Sequence, residues 1–150
     1  GQFGVTNPVT LAESLKMSLQ AAAIELDAGV PRNPSAEGEW SSSYVAKAES
    51  MGLDVFAPDR DVNQPATRAE VIHTALEVMG VPVGIKMAKF SDVSENHKYT
   101  KAIAMAEFLG LITGDLAPDG TPLNTFRPDD PINRAEVVKI IALLKSLLEN

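Results

Sequence analysis

Pro131-Ile132-Asn133-Arg134-Ala135-Glu136 opens the last long apolar stretch of the chain, and two upstream segments resemble it. They are Pro65-Ala66-Thr67-Arg68-Ala69-Glu70 and Pro8-Val9-Thr10-Leu11-Ala12-Glu13, so the form is Pro-x-Thr/Asn-x-Ala-Glu. Pro8 and Pro65 stand 57 positions apart, and Pro65 and Pro131 stand 66 apart. Self-similarity of this kind decides architecture before any single motif does. After Asn133 the apolar residues are Val137, Val138, Ile140, Ile141, Leu143, Leu144, Leu147 and Leu148, a wide helical stripe. Val71, Ile72, Ala75, Leu76, Val78 and Met79 follow Thr67, and Leu15, Met17, Leu19, Ala22, Ala23 and Leu26 follow Thr10.

The segment is a helix start with a mechanism. Thr or Asn at the N-cap accepts from an orphan backbone N–H, and Glu three positions on reaches back to the cap's own N–H. Thr10, Glu13, Thr67, Glu70, Asn133 and Glu136 therefore read as capping residues. Ala66 and Ile132, just before the cap, are placed to staple onto Val71 and Val137. The arginines fit less simply. Arg68 and Arg134 fall at the first helical position, where the helix dipole disfavours a cation by roughly 0.3–1 kcal/mol. Compensation comes either from nearby carboxylates (Asp59, Asp61, Asp129, Asp130) or from an anionic ligand. Leu11 stands at this place in the first copy.

A further helical segment precedes each of the later capped helices. Residues 97–109 carry Tyr99, Ala102, Ile103, Ala106 and Leu109 ahead of Gly110, and residues 41–51 carry Tyr44, Val45, Ala48 and Met51 ahead of Gly52. Both glycines are placed as C-terminal stops. Turn-rich loops at 53–66 and 111–132 join the pairs, and 27–39 reads as a linker. No segment sustains period-two alternation, so strand content is small and confined to the loop 111–126. The expected fold is mainly α, built from helix–loop–helix units.

One hundred and fifty residues, 45% hydrophobic and 22% charged, suit one globular domain or a few repeats sharing a core rather than disorder. A chain of this length buries roughly 70% of its unfolded surface and needs no disulfide or metal staple. The net charge of −7 argues against nucleic acid. The apolar stretches are too short and interrupted for membrane insertion, and no signal-peptide pattern is visible. With no cysteine, thiol chemistry and Cys-ligated zinc are out. His73 and His97 have no carboxylate or hydroxyl at a spacing that marks a nucleophilic site, and no phosphate loop, H-E-x-x-H or calcium loop occurs. Asp129-Asp130 and Asp59-x-Asp61 read as turn formers rather than a cation site. A non-catalytic chain without cofactor or metal is the expectation.

Phe90-Ser91-Asp92-Val93, the run from Tyr99 to Gly110 into Leu111-Ile112-Thr113-Gly114, then Asp119-Gly120, Thr125-Phe126-Arg127-Pro128-Asp129 and finally Pro131 to Glu136 together resemble a complete S-layer homology repeat. An insertion separates Asp119-Gly120-Thr121 from Thr125-Phe126. Trp40, Tyr44-Val45, Met51-Gly52-Leu53, Phe56, Pro58 and Thr67 to Glu70 resemble a second, divergent repeat. It lacks the F-x-D-V opening and the second glycine, with Asp54-Val55-Phe56 in that place. Residues 3–26 resemble the last half of a repeat. The resulting division is a partial repeat at 1–26, a linker at 27–39, a divergent repeat at 40–82 and a complete repeat at 88–150.

The resemblance implies a pseudo-threefold bundle of such units, the first incomplete, with ligand grooves between neighbours. It implies a secreted, non-catalytic module that anchors a surface protein at the cell wall or S-layer. The implied partner is an anionic secondary cell-wall polysaccharide linked to peptidoglycan. By the same resemblance Arg68 and Arg134 meet the anionic group, because a guanidinium donates two parallel hydrogen bonds to a carboxylate. Trp40 offers a flat face to a sugar ring, or else packs between repeats. Asp92 and Glu136 accept from sugar hydroxyls, with capping of a helix near Glu95 the other reading of Asp92. Gly114 leaves backbone open to ligand, or serves a turn with positive φ. The competing expectation is a protein–protein assembly module whose degenerate grooves contact copies of itself or other surface proteins. A third reading makes the chain an appendage of a hydrolase.

Overall fold

The computed structural model describes residues 7–27, 29–84 and 89–149. Five α-helices occur among them: α1 (Leu11–Ala21), α2 (Ser42–Met51), α3 (Arg68–Val78), α4 (Thr100–Phe108) and α5 (Arg134–Glu149), with a single 3-10 turn at Pro34–Ala36. The described residues contain isolated β-bridges but no extended strand, so the fold is mainly α. None of the helices is long and apolar enough to cross a membrane.

The three capped helices form the centre: α1 packs on α3 and α5, and α3 packs on α5. Each outer helix lies on the capped helix before it, α2 on α1 and α4 on α3. Gly52 ends α2 in the left-handed region (φ +71°) with its N–H bonded to the carbonyls of Ala48 and Glu49. Gly110 (φ +76°) follows the last turn of α4 in the same conformation.

The approach segments of the capped helices pair with one another. Proline two residues before each cap favours extended backbone, which leaves amides and carbonyls in need of partners. Val9 N–H donates to the Ile132 carbonyl (3.0 Å), Ile132 N–H to Ala66 (3.3 Å) and Ala66 N–H to Val9 (2.8 Å). These bonds close a ring of three, and all three side chains are buried. Antiparallel bridges Pro8–Asn133, Thr10–Pro65 and Thr67–Pro131 surround the ring. Extended pairing is thus not confined to the loop 111–126, where Leu116 bridges Pro122. The pairing is long-range, so period-two alternation does not announce it.

The span 27–39 is tied to the body. Asn33 is fully buried, donates to the carbonyls of Ala57 and Arg60 (3.3 and 2.7 Å) and caps the Pro34–Ala36 turn. Glu49 from α2 accepts the N–H groups of Arg32 and Asn33.

Matching positions of the capped helices differ in burial. The second, fifth and ninth residues after the cap are buried in α1 (Ala12, Leu15, Leu19) and in α3 (Ala69, Ile72, Leu76). Their counterparts Ala135, Val138 and Ala142 in α5 are exposed, Val138 at 51%.

Candidate functional site

The helix starts hold the charged residues in place. Thr10 accepts from Glu13 N–H (3.1 Å) while Glu13 accepts from Thr10 N–H (2.8 Å), and Thr67 and Glu70 do the same (3.0 and 2.9 Å). Asn133 accepts from Glu136 N–H (2.9 Å), but the Glu136 carboxylate turns to Arg68.

The compensation that the arginines require comes from these glutamates, not from the loop aspartates. Arg68 pairs with Glu136, and Arg134 pairs with Glu13 at 2.9 Å. Each motif arginine therefore meets the capping glutamate of another copy. Glu70, the remaining capping glutamate, is held by Arg60 through two bonds of 3.0 and 2.9 Å. Burial pushes the Glu70 carboxyl up, but Arg60 and the amide and hydroxyl of Thr67 outweigh it and hold it below its ordinary value. Burial likewise raises Glu13, and Thr10 and Arg134 bring it lower. The loop aspartates are engaged elsewhere: Asp129 lies 2.9 Å from His97 Nε2, and Asp130 pairs with Arg127. Among the described residues no group of three or more His, Asp or Glu side chains could hold a metal.

The loop 111–128 is clasped by the segment before α4. Asp92 accepts the N–H groups of Phe126 (2.9 Å) and Arg127 (2.8 Å), and Ser91 bonds the Asn124 carbonyl through both its N–H and its hydroxyl. Phe90 stacks on Phe126 at 5.5 Å, with Gly114 beside it. Gly114 has φ +84°, and a Cβ there would lie 2.6 Å from Phe90 Cε1. The turn and the close approach both require glycine. Arg68 is buried against this loop, with its guanidinium 4.7 Å from the Phe126 ring centre and Nε donating to the Phe126 carbonyl at 2.9 Å.

These elements bound a cavity of about 330 Å³, with Leu111, Ile112 and Ile140 as apolar walls and Arg68, Arg127, Lys139, Asp115 and Glu136 as charged lining. Three cations against two carboxylates make it locally basic, in a chain whose net charge is −7. Arg127 and Glu136 also line an adjoining cavity of about 250 Å³ beside Pro8 and Asn133. Asp115 accepts from Arg127 Nε and Nη2 (3.1 and 3.0 Å) and from Thr125 Oγ1 (2.7 Å). Arg127 holds the Asp115 carboxyl below its ordinary range, and Asp115 raises Arg127 in return.

Of the residues that the sequence singles out, Arg68, Gly114 and Glu136 share this cavity. Asp92 stands behind it as the loop's clasp rather than as the cap of a helix near Glu95, since α4 begins at Thr100. Arg134 and Trp40 lie elsewhere, both against α1. Arg134 reaches Glu13 and the Met17 sulfur, while Trp40, 53% exposed, sits edge-on to Tyr44 with Lys16 Nζ 5.6 Å from its ring. Arg127, Asp115 and Lys139 are lining residues that local sequence patterns do not single out. The motif run Thr125-Phe126-Arg127-Pro128 was the signal available for Arg127.

The family model of the S-layer homology domain matches residues 89–138. The chain is also 26% identical over 153 aligned residues to cell surface glycoprotein 1 of Acetivibrio thermocellus. That alignment covers 94% of this chain and only 6% of the relative's length. The matched segment runs from the Phe90–Val93 clasp through the loop to the first turn of α5, and so holds most of the cavity's lining. Residues 89–138 thus carry an S-layer homology domain, a family of cell-surface anchoring modules.

Proposed function

We propose that this chain is a non-catalytic anchoring module that holds a surface protein to the cell wall by binding an anionic secondary cell-wall polysaccharide. The observation that carries the reading is the basic cavity between the start of α3, the loop 111–128 and α5. A planar guanidinium suits a carboxylate-bearing sugar, and a partly enclosed site strengthens the contact relative to water. Of the motif arginines, Arg68 serves this cavity and Arg134 serves the face along α1 where Trp40 offers a ring surface. Glu136 presents acceptors for hydroxyls, Gly114 admits the sugar to the backbone, and Asp92 acts through the loop it clasps.

We further propose that the units at 40–82 and 88–150, with the partial unit before residue 27, pack as a pseudo-threefold bundle. The ring of three hydrogen bonds among Val9, Ala66 and Ile132 supports that arrangement. The experiment is a pull-down on purified peptidoglycan sacculi, intact and stripped of their attached polymer, with wild type and an Arg68→Ala/Arg134→Ala variant. Retention that needs both polymer and arginines is expected. No retention of the folded wild type would overturn the reading.

A second reading has its own support. Val138, Leu147 and Leu148 are 45–51% exposed along α5, which favours assembly with copies of itself or other surface proteins. Sedimentation that reports a concentration-dependent mass, lost in Val138→Lys, would favour it.

A further inference from the structure

We propose that Arg127 makes the charged contact to the ligand's anionic group in the cavity, and that Arg68 is a positioning residue. The inference rests on the anchoring reading and deepens it.

Arg68 is built in. Its side chain is 9% exposed, one face lies on Phe126, Nε serves the Phe126 carbonyl and Nη1 serves Glu136. Pulling it toward a ligand breaks the contacts that join α3 to the loop and to α5. Arg127 is presented instead. Its side chain is 51% exposed, and it lines both adjoining cavities, so it stands where the two meet. Asp115 takes the Nε and Nη2 edge through a bidentate pair, which fixes the plane of the guanidinium. Among the described residues the remaining Nη1/Nη2 edge meets Asp130 alone, at 3.4 Å and itself half exposed. An incoming carboxylate can take that edge with two parallel bonds and release Asp130 to water. Because Asp115 orders the guanidinium before the ligand arrives, little rotamer freedom is lost on binding.

The backbone points the same way. Arg127 has φ +58°, a left-handed conformation that costs a side-chain-bearing residue about 1–2 kcal/mol and glycine almost nothing. In the same loop Gly114 and Gly120 have positive φ with glycine, and Asn124 (φ +61°) with asparagine, which tolerates it better than arginine does. Arginine is nevertheless kept at 127, clamped by the bond from its N–H to Asp92. Strain held by the surroundings at a cavity mouth marks a side chain with a use.

The test is calorimetric titration of the folded 150-residue chain with a monosaccharide carrying a pyruvate ketal, and with the methyl ester of the same ketal as neutral control. Wild type should bind the acid and not the ester. Arg127→Gly keeps the turn and loses the Asp115 pair, so it should lower the melting temperature somewhat and, in the still folded chain, weaken binding tenfold or more. Arg127→Lys should retain part of the affinity, because it keeps the charge and loses the fork. Arg68→Lys should lower the melting temperature and weaken acid binding less than Arg127→Gly does. If wild type binds the acid and Arg127→Gly binds it equally, the assignment to Arg127 is wrong and the anchoring reading survives. If wild type binds neither the ketal nor intact sacculi, the anchoring reading fails and this inference fails with it.

Discussion

Replacing Gly114 by alanine should cost far more than replacing Gly110, although both glycines have positive φ. The shared part is conformational: φ is +84° at Gly114 and +76° at Gly110, and alanine in that region loses about 1–2 kcal/mol. The difference is steric. A Cβ on Gly110 meets nothing within 4 Å, whereas on Gly114 it lies 2.6 Å from Phe90 Cε1 and 3.1 Å from the Thr125 carbonyl. Neither neighbour yields easily. The Phe90 ring is buried and stacked on Phe126, and the Thr125 carbonyl accepts the Asp115 N–H at 2.8 Å. Overpacking of this kind costs about 1–3 kcal/mol. At roughly 2–4 °C per kcal/mol for a chain of this size, Gly114→Ala should melt about 2–12 °C below Gly110→Ala. Scanning calorimetry measures the gap, and a Phe90→Leu background should close most of it, as expected for residues in direct contact. Equal losses for the two alanine variants would refute the argument. They would mean that the Phe90 ring moves aside freely and that only φ demands glycine at 114.

Two further outcomes follow from burial and charge. Ile72→Lys, at a position 1% exposed, should unfold the chain or cost at least about 4 kcal/mol in urea denaturation. Val138→Lys at the matching position of α5 should stay within about 0.5 kcal/mol of wild type, and a large loss there would show that the α5 face is covered. Acid should destabilise the fold through Glu70 and Glu13, whose carboxyls lie below the ordinary 4.5, and through Asp115, which lies below 3.8. A lowered folded value means stability present above the unfolded value and lost as pH falls through the folded one. The melting temperature should hold from pH 7 to about 5 and drop below about 4. Glu70→Gln should flatten the drop, and an unchanged acid profile in that variant would count against the Arg60–Glu70 pair.

Local chemistry was legible in the sequence and long-range chemistry was not. The boxes at Thr10–Glu13 and Thr67–Glu70 close over three residues, so the sequence spacing already contains the geometry. Gly52 and Gly110 stop helices for equally local reasons. Glu136 follows the same spacing, but its carboxylate answers to Arg68, 68 positions away. Asp92 shows the same limit. As a residue ahead of a helix it reads as a cap, yet its partners are amides 34 and 35 positions downstream. The candidate cavity was legible in Arg68, Gly114 and Glu136, whose motifs lie on the three elements that meet there. Trp40 was grouped with them by the family resemblance, and the fold sets it against α1. Arg127 lies in the motif run Thr125-Phe126-Arg127-Pro128, but its place at the cavity mouth depends on its backbone angle and the path of the loop.

The pairs Arg68–Glu136 and Arg134–Glu13 account for why arginine and glutamate occur together in the Pro-x-Thr/Asn-Arg-Ala-Glu segments. Arginine at the first turn of a helix opposes the dipole, and glutamate in the first turn complements it. When the arginine of one copy reaches the glutamate of another, the unfavourable charge is offset at the joint between them. The first copy tests this account, because Leu11 stands where the arginine would be. Leu11 is fully buried, so that helix start is covered by apolar packing. The change would leave Glu70 at the start of α3 with its side chain only 13% exposed and no motif arginine to meet it. A largely buried carboxylate stripped of its partner costs on the order of 3–5 kcal/mol. Arg60, from the loop before α3, supplies that charge bidentately and also donates to the Asp61 carbonyl at 2.7 Å. The fold therefore keeps a cation on every capping glutamate while the source of the cation varies. Loss of a motif arginine need not weaken the body of the protein.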